Sequence, residues 1–153
     1  MEGRITEEKV TKFLLTWLET NNWKIISYDF PQSGTGICIH PNLEFRTTKN
    51  KDSFIPDIIA YKNNTVIFFE NKDRFFLEDF HKVDKLRTTS MYSDSILNLL
   101  KKIKYKSIFY GIGMPFFQKN TIRSEEVKNK TDFIICTMQK GSIIVFYDPM
   151  KIF

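Results

Sequence analysis

Two strand-like segments joined by a tight turn constrain the fold of this chain most strongly. They cover residues 55–62 and 65–72, and residues 63 and 64, both Asn, separate them. Asn tolerates the positive φ that hairpin turns demand. A turn symmetric about that pair sets the register and places Asp57 opposite Glu70. The same register pairs Tyr61 with Val66 and Ile59 with Phe68.

This register predicts a cluster of three charged side chains at the open end of the hairpin. Opposed strand residues have Cβ atoms roughly 4.5–5.5 Å apart, and like charges placed so are destabilising. Lys72 falls on the face of Glu70, because strand side chains alternate. The two carboxylates therefore call for compensation by a divalent cation, and Mg²⁺ is usually held by one or two carboxylates.

The same residues resemble a known signature. Pro56-Asp57, a spacer and Glu70-Asn71-Lys72 look like the PD…(D/E)xK motif of the restriction-endonuclease-like nucleases. The resemblance implies that Asp57 and Glu70 are catalytic and hold Mg²⁺, which Mn²⁺ can replace. It implies that the backbone carbonyl of Asn71 is a further metal ligand. Lys72, the third catalytic residue, would orient or activate the attacking water.

The N-terminal region predicts an amphipathic helix that ends near residues 21 and 22. Thr6 is the expected N-cap, and Glu7 lies in the first turn, where the helix dipole favours acids. At about 100° per residue, Glu7 lies beside the apolar face of the helix. Nucleases of the resembled family often add an acid from this helix to the metal site, and Glu7 is the candidate. A surface Glu favoured only by the dipole is the alternative.

The basic residues favour a polyanionic partner, here double-stranded DNA. The formal net charge is +5, which supports such a partner only modestly. Arg46, Lys49 and Lys51 lie just upstream of the hairpin and are candidates for phosphate contacts. Lys82 and Lys85 are candidates on the polar side of the helix that follows it. A solvated loop is the alternative for the upstream group.

The remaining pattern predicts an α/β (α+β) protein with one nuclease domain over residues 1–153. The resemblance implies an αβββαβ core with a mixed central sheet flanked by helices. Further elements are expected as strands at 23–30, 37–40 and 107–112, helices at about 77–87, 92–104 and 124–128, and a second hairpin of strands 132–138 and 142–148.

The cysteines, the N-terminus and the hydropathy favour a cytoplasmic protein. Cys38 and Cys136 are far apart in apolar runs, which predicts two buried free thiols. The N-terminal segment lacks the apolar core of a signal peptide, and no apolar run approaches the length of a membrane span. We expect no membrane partner.

The function that follows from the resemblance is Mg²⁺-dependent hydrolysis of phosphodiester bonds in duplex DNA. The expected enzyme is a type II-like restriction endonuclease or its cleavage subunit. It would work as a homodimer, or as a heterodimer with another nuclease or specificity subunit. The alternatives are a structure-specific nuclease of the Holliday junction resolvase type and a catalytically silent DNA-binding subunit. A plain surface salt-bridge cluster is the simplest alternative for the three residues of the motif.

Overall fold

The computed structural model of the protein describes residues 4–45 and 53–153. The helices are α1 (Glu7–Thr20), α2 (Leu77–Thr88), α3 (Ser93–Leu99) and α4 (Gln118–Val127), with short 3₁₀ turns at Leu43–Phe45 and Lys128–Lys130. The strands are β1 (Lys24–Tyr28), β2 (Ile58–Lys62), β3 (Thr65–Asn71), β4 (Ser107–Pro115), β5 (Phe133–Thr137) and β6 (Ile143–Tyr147).

The strands form one six-stranded mixed sheet in which neighbours follow the order of the chain. β1, β2 and β3 are antiparallel, β3, β4 and β5 are parallel, and β6 returns antiparallel to β5. Parallel neighbours need crossover connections, and the chain makes them through α2 and α3, then through α4. The expectation of a mixed sheet flanked by helices is therefore confirmed.

The predicted turn and register of the β2–β3 hairpin are also confirmed. Asn63 and Asn64 have φ values of 48° and 66°. Tyr61 pairs with Val66, and Ile59 pairs with Phe68. The strands are shorter than expected, because β2 begins at Ile58 and β3 ends at Asn71. The motif residues thus lie at the very end of the ladder or just beyond it.

A separate core covers each face of the sheet. α1 packs Val10, Leu14 and Leu18 on one face, and α2 and α3 cover the other. Phe68 and Phe69 point into opposite cores, as successive strand residues do. Because β3 is central and covered on both sides, even its polar end residues are buried.

Several predicted boundaries are wrong, and local contacts explain why. Residues 37–40 form no strand; Ile39 makes one isolated bridge to Phe54, because Gly36 and Pro41 flank the segment closely. The helix predicted for 92–104 ends at Leu99. A turn follows it, in which the Ile103 N–H donates to the Leu100 carbonyl.

Other differences come from pairing and exposure. β4 runs three residues further than predicted, to Pro115, because its end pairs with β5. β1 is shorter than predicted, and α4 begins six residues earlier, at Gln118. Cys136 is buried as expected, whereas Cys38 is exposed, since its segment makes only the single bridge to Phe54 among the described residues. In the ranges 4–45 and 53–153, no helix is long and apolar enough to cross a bilayer.

Candidate active site

Asp57 and Glu70 meet at the open end of the hairpin, as predicted. The Asp57 N–H donates to the Phe69 carbonyl at 3.0 Å. Its Oδ2 accepts the Asn71 N–H at 2.6 Å. The two acids are only 7% and 9% exposed. Asp57 is therefore held against the end of β3 by its side chain, just outside the regular ladder.

Burial and proximity disturb the ionisation of both acids. Burial, followed by repulsion from Glu70, raises the pKa of Asp57 to about 8. Burial likewise raises the pKa of Glu70, although Lys82 and Lys72 oppose the shift. The chain thus places two acids where their charged forms are costly, as is common at functional sites.

Lys72 completes the predicted trio at the end of β3. Its N–H donates to the Gly113 carbonyl at 3.0 Å, which fixes the backbone against β4. Its Nζ lies 3.9 Å from Glu7 Oε1 and 5.9 Å from the centre of the Phe76 ring. Burial lowers the pKa of Lys72, but the surrounding carboxylates raise it by more than burial lowers it. The pKa of Lys72 is therefore above its ordinary value.

α1 packs on the face of the sheet opposite to α2 and α3. Its first turn nevertheless brings Glu7 beside Lys72 at the end of β3. Thr6 caps the helix as predicted, accepting the Lys9 N–H at 3.2 Å. The Asn71 side chain donates to Thr11 Oγ1 at 3.0 Å. The middle residue of the motif therefore ties α1, and with it Glu7, to the end of β3.

Gly113 makes room for this tie. A Cβ at Gly113 would lie 2.2 Å from Asn71 Oδ1 and 2.6 Å from a methyl group of Leu14. No relaxation of a few tenths of an ångström could absorb such contacts. A glycine opposite Asn71 is thus what allows α1 to approach the end of β3 where Glu70 and Lys72 lie.

The predicted nucleic-acid residues have different outcomes. Lys82 Nζ lies 3.2 Å from Glu70 Oε1, so it is an ion-pair partner of that acid. It also lies 4.9 Å from the centre of the Phe54 ring. Lys85 lines an open cleft of about 410 Å³ beside Lys82 and His81. The remaining candidates, Arg46, Lys49 and Lys51, lie outside the described residues.

Asp79 is a component that sequence reasoning missed. It lies in the first turn of α2, is 8% exposed, and its Oδ2 is buried without a hydrogen-bond partner among the described residues. Burial, followed by repulsion from Glu70, raises its pKa to about 6. The available signal was its spacing, three and four residues before Lys82 and Val83, which puts all three on one helix face.

The donor set agrees with a magnesium ion. Within the described residues, no group of three or more His, Cys, Asp or Glu side chains is arranged to hold a metal. The predicted set needs only the carboxylates of Asp57 and Glu70 and the carbonyl of Asn71. These are hard oxygen ligands, and Mg²⁺ keeps several waters and needs few protein ligands. Burial raises the pKa of both acids, so their charged forms are costly in the absence of a cation.

Comparison with known proteins adds no relative to this geometry. No protein-family model matches the chain, and no curated protein or solved structure is significantly similar to it. The arrangement of Asp57, Glu70, Lys72 and Glu7 at one sheet edge therefore carries the functional argument by itself.

Proposed function

We propose that this protein is a Mg²⁺-dependent DNA endonuclease, and that its sheet with α1 and α2 is the core of a restriction-endonuclease-like fold. The observation that carries the proposal is the gathering of Asp57, Glu70 and Lys72 at one buried edge. Their order and spacing resemble the PD…(D/E)xK motif, and Glu7 joins them from the first helix.

Each residue has a defined task in hydrolysis. Asp57, Glu70 and the Asn71 carbonyl would hold the ion. When bound, Mg²⁺ stabilises charge on the phosphate and lowers the pKa of a coordinated water. The Lys72 ammonium orients the attacking water, and Glu7 restrains that ammonium at 3.9 Å. The rigid backbone of β3 presents these groups already in place, which is the main source of electrostatic catalysis.

DNA binding would use the basic side of α2. Lys82 and Lys85 border the cleft of about 410 Å³ next to Glu70, and ammonium groups there can contact phosphates. One hairpin provides one catalytic centre, so a double-strand break asks for two copies or for a partner subunit. A symmetric dimer would match a palindromic site, because protein and DNA then share a two-fold axis.

The decisive experiment is digestion of long duplex DNA by the purified protein in the presence of Mg²⁺. We expect discrete fragments on a gel, reduced activity for Glu7→Gln, and none in excess chelator. Asp57→Ala, Glu70→Ala and Lys72→Ala should each abolish cleavage. Full activity in any of these three variants would refute the assignment.

Substrate choice separates the remaining classes. A four-way junction cut symmetrically near its centre, with duplex left intact, would replace the restriction-type activity with a resolvase activity. Nicking of one strand at a fixed site would identify half of a two-subunit enzyme. Salt-sensitive DNA binding with no cleavage under any metal condition would indicate a silent binding subunit.

A further inference from the structure

Two consecutive aromatic side chains stand exposed at the sheet edge that carries the proposed active site. Phe116 and Phe117 directly follow β4 and are 39% and 43% exposed. Burying a Phe side chain stabilises a fold. Adjacent exposed rings at the end of a buried strand are a candidate binding surface.

The backbone that presents these rings is firmly held. The Phe116 N–H donates to the Thr137 carbonyl at 2.8 Å. The buried Asn120 side chain donates to the Pro115 carbonyl at 3.0 Å and accepts the Phe75 N–H at 3.1 Å. The exposure of the rings thus belongs to an ordered, preorganised segment.

The two rings line a cleft of about 380 Å³, which we call the aromatic cleft. Its other lining residues come from the N-terminal segment and the β5–β6 turn: Ile5, Met138, Gln139, Lys140 and Ser142. The lining combines ring faces with amide, hydroxyl and ammonium groups, and none of these described residues carries a carboxylate. A nucleotide offers the complementary groups: a π face, a polar edge and a phosphate.

The aromatic cleft adjoins the catalytic edge. Asn71 pairs with Gly113 across the β3–β4 ladder, and Phe116 lies three residues further along the chain. At a rise of about 3.3 Å per residue, that separation is about 10 Å. Ile5, on the other wall, lies two residues before Glu7. A DNA strand whose phosphate reaches Lys72 therefore passes within reach of the rings.

We propose that the aromatic cleft binds an unpaired nucleobase of the strand that is cut. This inference rests on the nuclease function proposed above. Base–aromatic stacking tolerates every base, because each has a π face. A base inside a duplex is already stacked and cannot enter, so the cleft adds affinity only for DNA that carries a single-stranded nucleotide beside the scissile phosphate.

The test is a pair of substitutions at one position that separates the ring from its apolar bulk. Fluorescence anisotropy in excess chelator measures affinity for a labelled single-stranded oligonucleotide and for its fully paired duplex. Phe117→Leu should weaken single-strand binding roughly tenfold, because a stacking contact is lost, and should leave duplex binding nearly unchanged. Phe117→Tyr should retain wild-type affinity. Leu97→Ala, an exposed apolar position on α3, is the matched control.

The opposite results overturn the proposal. Equal losses on both DNAs, or unchanged single-strand affinity in Phe117→Leu, would exclude base stacking. A change in molar mass by light scattering, without a change in affinity, would mean that the rings contact a second copy of the chain. Cleavage by the wild type in Mg²⁺ is measured in parallel. If the wild type cleaves DNA but the binding results contradict base stacking, only the assignment of the aromatic cleft fails. A wild type that binds neither DNA would overturn both proposals.

Discussion

Asp57 and Asp132 are both largely buried acids beside strand ends, but their surroundings are opposite. Asp132 Oδ2 accepts the Tyr110 N–H at 2.9 Å, and its Oδ1 lies 3.3 Å from the Arg87 guanidinium. Arg87 also donates to the carbonyls of Thr131 and Asn129. The charge on Asp132 is thus paired and hydrogen-bonded, which is the usual condition for a buried carboxylate.

The acids of the proposed active site are compensated only in part: Asp57 accepts the Asn71 N–H and Glu70 pairs with Lys82. Asp57 and Glu70 repel each other, and the basic partners Lys72 and Lys82 leave both pKa values raised. Asp79 adds a third acid, whose Oδ2 has no partner among the described residues. The comparison teaches that Asp132, which holds the fold, is fully paired, whereas the acids at the proposed active site are compensated only in part.

The largest expected effect is on the rate of DNA cleavage, which should distinguish Asp57 from Asp132. Asp57→Asn should reduce DNA cleavage by about a thousandfold or more, because several kcal/mol of metal-assisted stabilisation are lost. Asp132→Asn keeps an oxygen acceptor for the Tyr110 N–H and should retain activity within a few fold. Initial rates on plasmid DNA, with circular dichroism to verify folding, measure the contrast. Similar losses in both variants would remove the distinction.

Substitution of Asp132 should lower the free energy of unfolding more than substitution of Asp57. Asp132→Ala leaves the Tyr110 N–H without its acceptor and removes one of several acceptors of the Arg87 guanidinium, at a cost of about 1–3 kcal/mol. For a chain of this size, about 1 kcal/mol lowers the melting temperature by about 2–4 °C. Urea and thermal unfolding in chelator measure the change, with the exposed Lys151→Ala as control. An unfolding free energy equal to that of the wild type would contradict the structural role of Asp132.

Metal binding should depend on pH through Asp57. Because its pKa is raised to about 8, an ion that binds at lower pH must displace a proton. The Mg²⁺ midpoint should therefore fall by roughly tenfold per pH unit between pH 6 and 8, if one proton is released per ion, and then level off. Mg²⁺-induced shifts of the melting temperature measure it. A midpoint that ignores pH would contradict a proton on Asp57.

The smallest expected effect is a gain in stability. The pKa of Asp57 is 3.8 when unfolded and about 8 when folded, so its contribution to stability is lost as pH rises between those values. Asp57→Asn avoids this loss and keeps an acceptor for the Asn71 N–H. The metal-free variant should therefore gain stability relative to the wild type as the pH rises from 5 to 9. A less stable variant at pH 9 would show that Asp57 stabilises the fold.

The hairpin was accessible from the sequence because it is local. Two adjacent apolar segments and an Asn-Asn turn leave one register that buries both faces of β3. That register brings Asp57, Glu70 and Lys72 to the same edge without reference to the rest of the chain. The N-cap of α1 and the second hairpin follow from equally local patterns, and the structure agrees with each of them.

Only the tertiary structure decided how the site is completed. The packing of α2 on the sheet determines that Lys82 pairs with Glu70 and that Asp79 lies beside them. The approach of α1, which Gly113 permits, brings Glu7 to Lys72. The end of β4 places Phe116 and Phe117 at the same edge. These contacts join residues from different elements. The spacing of the elements and the rotation of the helices are set by the packing of the two cores. No local sequence pattern encodes that packing.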